Sequence, residues 1–187
     1  TPAGLLSHVT MPSGQQVSYT YDAAGRLIAA ADNRGASVQY TLDAAGNRIR
    51  EEIRDATGAI ALVTARAINN LGQLQAIQGA SGQSTSIGYD ANGQPVSQTD
   101  PLNQTTRQSL DGLRRPTATT FADNTLAAQS WNPLDQLTGI TDPKGVATQY
   151  RVNAFGEVMS ETSPDIGTIE YTRDAAGNIT STQDARG

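Results

Sequence analysis

Tyr21-Asp22-Ala23-Ala24-Gly25-Arg26-Leu27 is the stretch that decides how this chain folds. An Asp can accept bonds from nearby backbone amides, and a Gly three residues later accepts positive φ, so the pair marks a tight turn. Working outward, the Asp slot recurs at Thr1, Asp43, Asn69, Asp90, Asp111, Asn132, Asn153 and Asp174. The steps are 21 residues, except for one of 26 between Asp43 and Asn69. A period held along the whole chain means one structural unit stacked on itself. The expected organisation is a single repeat array over 1–187, with an insertion between 46 and 72 that lengthens a hairpin or its loop.

A second turn marker follows ten residues past the Gly slot. Asp32-Asn33-Arg34-Gly35, Asp142-Pro143-Lys144-Gly145 and Asp184-Ala185-Arg186-Gly187 are its clearest copies. Two turns per period leave room for two arms of about seven residues, which is a β-hairpin repeat. One arm alternates apolar with polar residues, as in Val17/Tyr19/Tyr21, Val38/Tyr40/Leu42 and Thr148/Tyr150/Val152. That period of two is the half-buried strand pattern. The other arm is weaker; its regular apolar site holds Leu6, Leu27, Leu74, Leu137, Val158 and Ile179, with Pro95 and Pro116 expected to open their strands. No segment carries a helical stripe, so the fold class is all-β.

With 37% hydrophobic residues, two Phe and one Trp, the chain is suited to a thin layer with a wet face rather than a thick centre. A net charge of −5 gives no electrostatic case for nucleic acid or an anionic membrane. No run of apolar residues is long enough for a membrane span. Without Cys, disulfides and thiolate metal sites are excluded. Both ends fall inside repeat units, so the chain reads as part of something longer. About sixteen strands at ~4.8 Å make a sheet wide enough that twist is expected to curl it. Its two free edges are expected to meet further repeats or copies of the same chain.

Tyr21-Asp22-Ala23-Ala24-Gly25-Arg26-Leu27, together with Asp32-Asn33-Arg34-Gly35 and Tyr40, resembles the YD repeat of Rhs proteins, Tc toxin B and C components and teneurins. The resemblance covers the whole chain. It implies a long antiparallel strip curled as a segment of a hollow β-cocoon, enclosing a C-terminal toxin domain. It also implies a secreted or extracellular protein, cytoplasmic before export. Arg114 and Asp135 depart from the Gly slot and imply a different turn geometry there. The family's self-cleavage segment is not matched: Asp142-Pro143-Lys144-Gly145 is followed by Val146 and sits at an ordinary second turn.

Chemistry has little to stand on. The carboxylates of Asp22, Asp43, Asp90, Asp142 and Asp174 are placed by the period, as are Gly25, Gly46, Gly93, Gly145 and Gly177, so these are expected to be structural turns. Glu51 and Glu52 lie outside the slots and read as a solvated face. His8 is the sole histidine, and a Ser-His-Asp triad or transition-metal site has no other support. Calcium at the Asp-rich turns is a weaker alternative, without the nine-residue motif of calcium rolls. The chain is expected not to be an enzyme and to need no cofactor. The alternative to a shell wall is a recognition surface on which Tyr40, Tyr150 and Tyr171 stack against a glycan.

Overall fold

The computed structural model describes residues 4–186; Thr1, in the first slot, and Gly187, in the last second turn, lie outside them. Seventeen strands form antiparallel sheet, and the chain divides into two compact units, described separately. The first is Thr1–Gly88 with Thr99–Asn103, the second Tyr89–Gln98 with Gln104–Gly187.

In the first, β1 (His8–Thr10), β2 (Gln16–Tyr21), β3 (Leu27–Asp32) and β4 (Ser37–Leu42) are followed by β5 (Arg48–Arg54), β6 (Ile60–Ile68), β7 (Leu74–Gly79) and β8 (Ser84–Tyr89). Each pairs antiparallel with its chain neighbour. After β9 (Pro95–Thr99) come β10 (Thr105–Leu110), β11 (Pro116–Thr120), β12 (Leu126–Trp131) and β13 (Leu137–Thr141). β14 (Ala147–Val152), β15 (Val158–Ser163), β16 (Gly167–Arg173) and β17 (Ile179–Gln183) complete the second unit. From β10 onward the same meander runs without a break. Pro95 and Pro116 open β9 and β11, where no ladder donor is required.

The insertion lies in the strands. β5 has 7 residues and β6 has 9, against 5 or 6 in most others, so the extra residues extend one hairpin on both arms. The register slips once in each first-turn hairpin whose pairing is described, immediately before the slot: Thr20/Tyr21, Thr41/Leu42, Ala67/Ile68, Ser109/Leu110, Ser130/Trp131, Arg151/Val152 and Thr172/Arg173. A bulge at a fixed place in the unit increases local twist by the same amount each time.

The expected curl into a segment of a hollow cocoon is not what forms. Within each unit the strands form an open meander, neither closed on itself nor strongly curled. Within a unit the described pairings join chain neighbours only, and none links first strand to last. The physical reason is cover: no hydrophobic side chain among the described residues is buried, so no second layer pulls on one face. Apolar residues are half-buried by their lateral neighbours instead.

Candidate functional site

The repeated turn is the most elaborate constellation in the molecule. In the copy at Asp22, the Gly25 amide donates to the Asp22 carbonyl at 3.0 Å and the Asp22 amide donates to the Arg26 carbonyl at 2.9 Å. Gly25 has φ +78°. This is a three-residue loop ending in a left-handed residue. Asp22 Oδ1 accepts the amides of Ala24 and Arg26, both at 2.9 Å. The same double acceptance recurs at Asp32, Asp55, Asn69, Asp90, Asp111, Asn132, Asp142, Asn153 and Asp174. Only one side-chain oxygen is needed, which is why Asn replaces Asp in the slot at no cost to the loop.

The second atom of the slot side chain then selects its partner four residues on. At Asp22, Asp43, Asp111 and Asp174, Oδ2 accepts from a donor: Arg26 Nε at 2.7 Å, Asn47 Nδ2 at 2.9 Å, Arg115 Nε at 2.7 Å and Asn178 Nδ2 at 3.0 Å. Where it is Asn, Nδ2 donates to an acceptor: Gln73 Oε1 at 2.9 Å, Gln136 Oε1 at 2.7 Å and Glu157 Oε2 at 2.7 Å. Sequence reasoning missed this complementarity, although the pairs Asp/Arg, Asp/Asn, Asn/Gln and Asn/Glu stand in plain view.

Units are also stitched to one another. Arg26 Nη1 donates to the Asp43 carbonyl at 3.3 Å, Arg115 Nη1 to that of Asn132 at 2.9 Å and Gln136 Nε2 to that of Asn153 at 3.0 Å. The residue before the slot reaches backward: Tyr21 Oη donates to the Leu6 carbonyl at 2.9 Å, Trp131 Nε1 to Pro116 at 2.7 Å and Arg173 Nη2 to Val158 at 3.1 Å. A polar-tipped aromatic or an Arg suits that position because its body packs while its tip donates.

These bonds set the electrostatics. The Arg26 amide and guanidinium hold the Asp22 carboxyl below its ordinary value, and the Arg115 guanidinium does the same at Asp111. The Asn47 and Asn178 side-chain amides lower Asp43 and Asp174, while the hydroxyl and amide of Thr57 lower Asp55. Each stays ionised and engaged, the opposite of a carboxyl poised to carry protons.

Two expectations need correction. Arg114 and Asp135 do not change the turn: they take φ +67° and +62°, with the amide of each donating to the slot carbonyl at 2.9 Å and 3.2 Å. Nor are Glu51 and Glu52 a solvated pair. Glu52 lies between Arg50, at 2.9 Å, and Arg54, and its carboxyl is lowered by Arg50 above all. Glu51 meets Arg66 at 3.6 Å. Alternation explains the split, since neighbours on a strand face opposite sides.

The half-buried Tyr40, Tyr150 and Tyr171 sit opposite half-buried Glu51 and Glu161 and exposed Thr182, respectively. The Arg48 guanidinium covers the Tyr40 ring at 3.9 Å from its centre. His8 is exposed beside Ser7 Oγ at 3.2 Å. A shallow hollow of about 270 Å³ is lined by Arg50, Val63, Ala65, Gln78, Gly79, Ala80 and Gly82, without a carboxylate or nucleophile. Among the described residues no group of His, Cys, Asp and Glu could hold a metal ion, and no helix is long and apolar enough to cross a membrane.

Geometry of this kind defines a tandem β-hairpin repeat protein, in which the recurring turn is the shared device of the units. The RHS repeat family matches residues 1–37, 21–60 and 89–126, more than half of the chain, and the chain belongs to that family. No curated protein matches it in sequence. Among solved structures it is similar to TcdB2-TccC3-Cdc42, with a TM-score of 0.60 and 13% identity over 94% of this chain and 12% of that one. TcdB2-TccC3 aligns with a TM-score of 0.60 and 13% identity over 97% of this chain and 13% of the other. TcdB2-TccC3 without its hypervariable C-terminal region gives 0.59 and 14%, over 95% and 11%. The chain thus spans about an eighth of the solved chains that share its fold.

Proposed function

We propose that this chain is a structural, non-enzymatic wall segment of an Rhs-type secreted shell whose complete polypeptide encloses a C-terminal toxin domain. The observation that carries the proposal is the stitching between units. Arg26, Arg115 and Gln136 reach forward, and Tyr21, Trp131 and Arg173 reach back, so that these hairpins are tied to their neighbours by side chains as well as by the ladder. The slot carboxylates are consumed in the same network, which leaves the repeat mechanical rather than catalytic. Its partners in this reading are further repeats of its own polypeptide and the enclosed domain, and its place of action is outside the producing cell after a cytoplasmic stage. The glycan alternative is disfavoured at Tyr40, where Arg48 occupies one ring face.

The parent reading frame tests this directly. Many more repeats, followed by an Asp-Pro-x-Gly-Leu segment and an unrelated C-terminal domain, are expected. Adhesion modules beside a membrane anchor would overturn the shell reading in favour of a recognition surface.

A further inference from the structure

The 26-residue step leaves a ledge in the sheet. β6 runs for 9 residues, but its pairing with β7 begins only at Thr64, opposite Gly79. The stretch Ile60–Val63 is paired to β5 on one side and, among the described pairings, to nothing on the other. In the other described hairpins, the strand leaving a second turn overhangs the next strand by at most three residues. The β4 side of the same hairpin is flush, since a Cβ on Gly35 would fall 2.7 Å from the Ala56 carbonyl oxygen. The overhang is wholly apolar. Ile60 and Leu62 are 52% and 46% exposed, with exposed Ala61 between them. Alternate residues of such an edge turn amides and carbonyls outward, and this stretch has no Lys, Glu or Pro to blunt it.

The shallow hollow lies at the foot of this ledge, between Val63 and the Gly79, Ala80 and Gly82 turn, with Arg50 in its wall. Arg50 and Arg54 share one carboxylate, Glu52, so the cluster keeps a net positive charge. The Arg50 side chain is 48% exposed, against 13% for Glu52. We propose that Ile60–Val63 takes an extended peptide as an added strand, with an acidic side chain of that peptide in the hollow against Arg50. Main-chain bonds to the open edge supply affinity, and the hollow selects the side chain. Four residues span about 13 Å, and Gly79 stands in the line beyond them. The bound segment therefore ends or bends away at that point. The same obstacle favours a peptide over a second copy of the chain. Antiparallel pairing of two β6 edges would drive the 55–59 loop of each copy onto the Gly79–Gly82 turn of the other. A contact this short is weak, and its ion pair is screened by salt.

Fluorescence anisotropy of the whole chain with a fluorescein-labelled peptide, alternating threonine and valine around one glutamate, tests this. Saturable binding is expected at protein concentrations up to millimolar. Arg50→Glu should weaken it by about five- to ten-fold with the circular dichroism unchanged. A lysine in place of the peptide's glutamate should weaken binding to the wild type as much, and should bind Arg50→Glu better than the glutamate peptide does. Ala80→Trp, which fills the hollow, should abolish binding. Arg34→Glu makes the same change of charge at an exposed second turn and should leave binding unaffected. Amide hydrogen exchange should slow within residues 60–63 in the complex. A peptide that never saturates overturns the proposal, as does protection confined to other residues or equal weakening by Arg34→Glu. Self-association of the wild type that Ala80→Trp abolishes would also overturn it, by giving the ledge to a second copy.

Discussion

Replacing Asn153 by Asp changes one atom in the slot and should be felt well beyond it. The Oδ1 acceptor for Phe155 and Glu157 amides is kept, but the Nδ2 donor to Glu157 Oε2 at 2.7 Å becomes a second carboxylate oxygen. A bond to a charged group contributes about 1.5–3 kcal/mol when sheltered. Asn153 and Glu157 are half-buried, so a loss of about 1–2 kcal/mol is expected once repulsion and solvent screening are combined. With a urea slope of about 1–3 kcal/mol per molar, the midpoint falls by roughly 0.5–1 M. Trp131, the only tryptophan, lies in the same unit and reports it by fluorescence. Adding Glu157→Asn recreates the pairing seen at Asp43 and Asn47 and should restore most of the midpoint. Acidification below about pH 4, where carboxylates take up protons, should shrink the deficit of the single variant. An unchanged midpoint for Asn153→Asp, or a double variant no better than the single, refutes the complementarity.

Arg114→Gly should raise stability by about 0.5–1 kcal/mol in the same assay, because a left-handed residue with a side chain is relieved while the turn is kept. Gly25→Val should cost about 1–3 kcal/mol, read as a lower melting temperature, since φ +78° is strained for any branched side chain. Asp22, Asp43, Asp55, Asp111, Asp123 and Asp174 are all lowered from 3.8 on folding. Depressed carboxyls stabilise above their unfolded value, so the urea midpoint should stay flat at neutral pH and fall as pH drops through 3.8 and below.

The period, the strand alternation and both turns were legible because they depend on bonds between residues at most four apart. Asp22, Gly25 and Arg26 carry that information in seven consecutive letters. The Tyr21 hydroxyl reaching Leu6 was not legible, because its partner is a backbone carbonyl and any residue supplies one. Arg114 misled for a related reason. A slot held by two Asx bonds and the closing amide pair overrides the local preference of one residue. Glu52 misled because its Arg partners sit two residues either side on one strand face, a spacing that reads as polar surface until the bulge and the cross-strand neighbours are known. The width argument failed because it left out cover: no apolar side chain among the described residues is buried, so no second layer bends the sheet.

Within each unit the described pairings join chain neighbours, and that has a mechanical consequence. Pulled by its ends, a meander loads its bonds a pair at a time, like a zip, whereas a fold with crossing strands must shear many at once. Each hairpin would come away with its two turns intact, since the Asx bonds that define them lie within five residues. Such an array yields in steps of one unit, and once partly opened it would rewind from the first hairpin still in place.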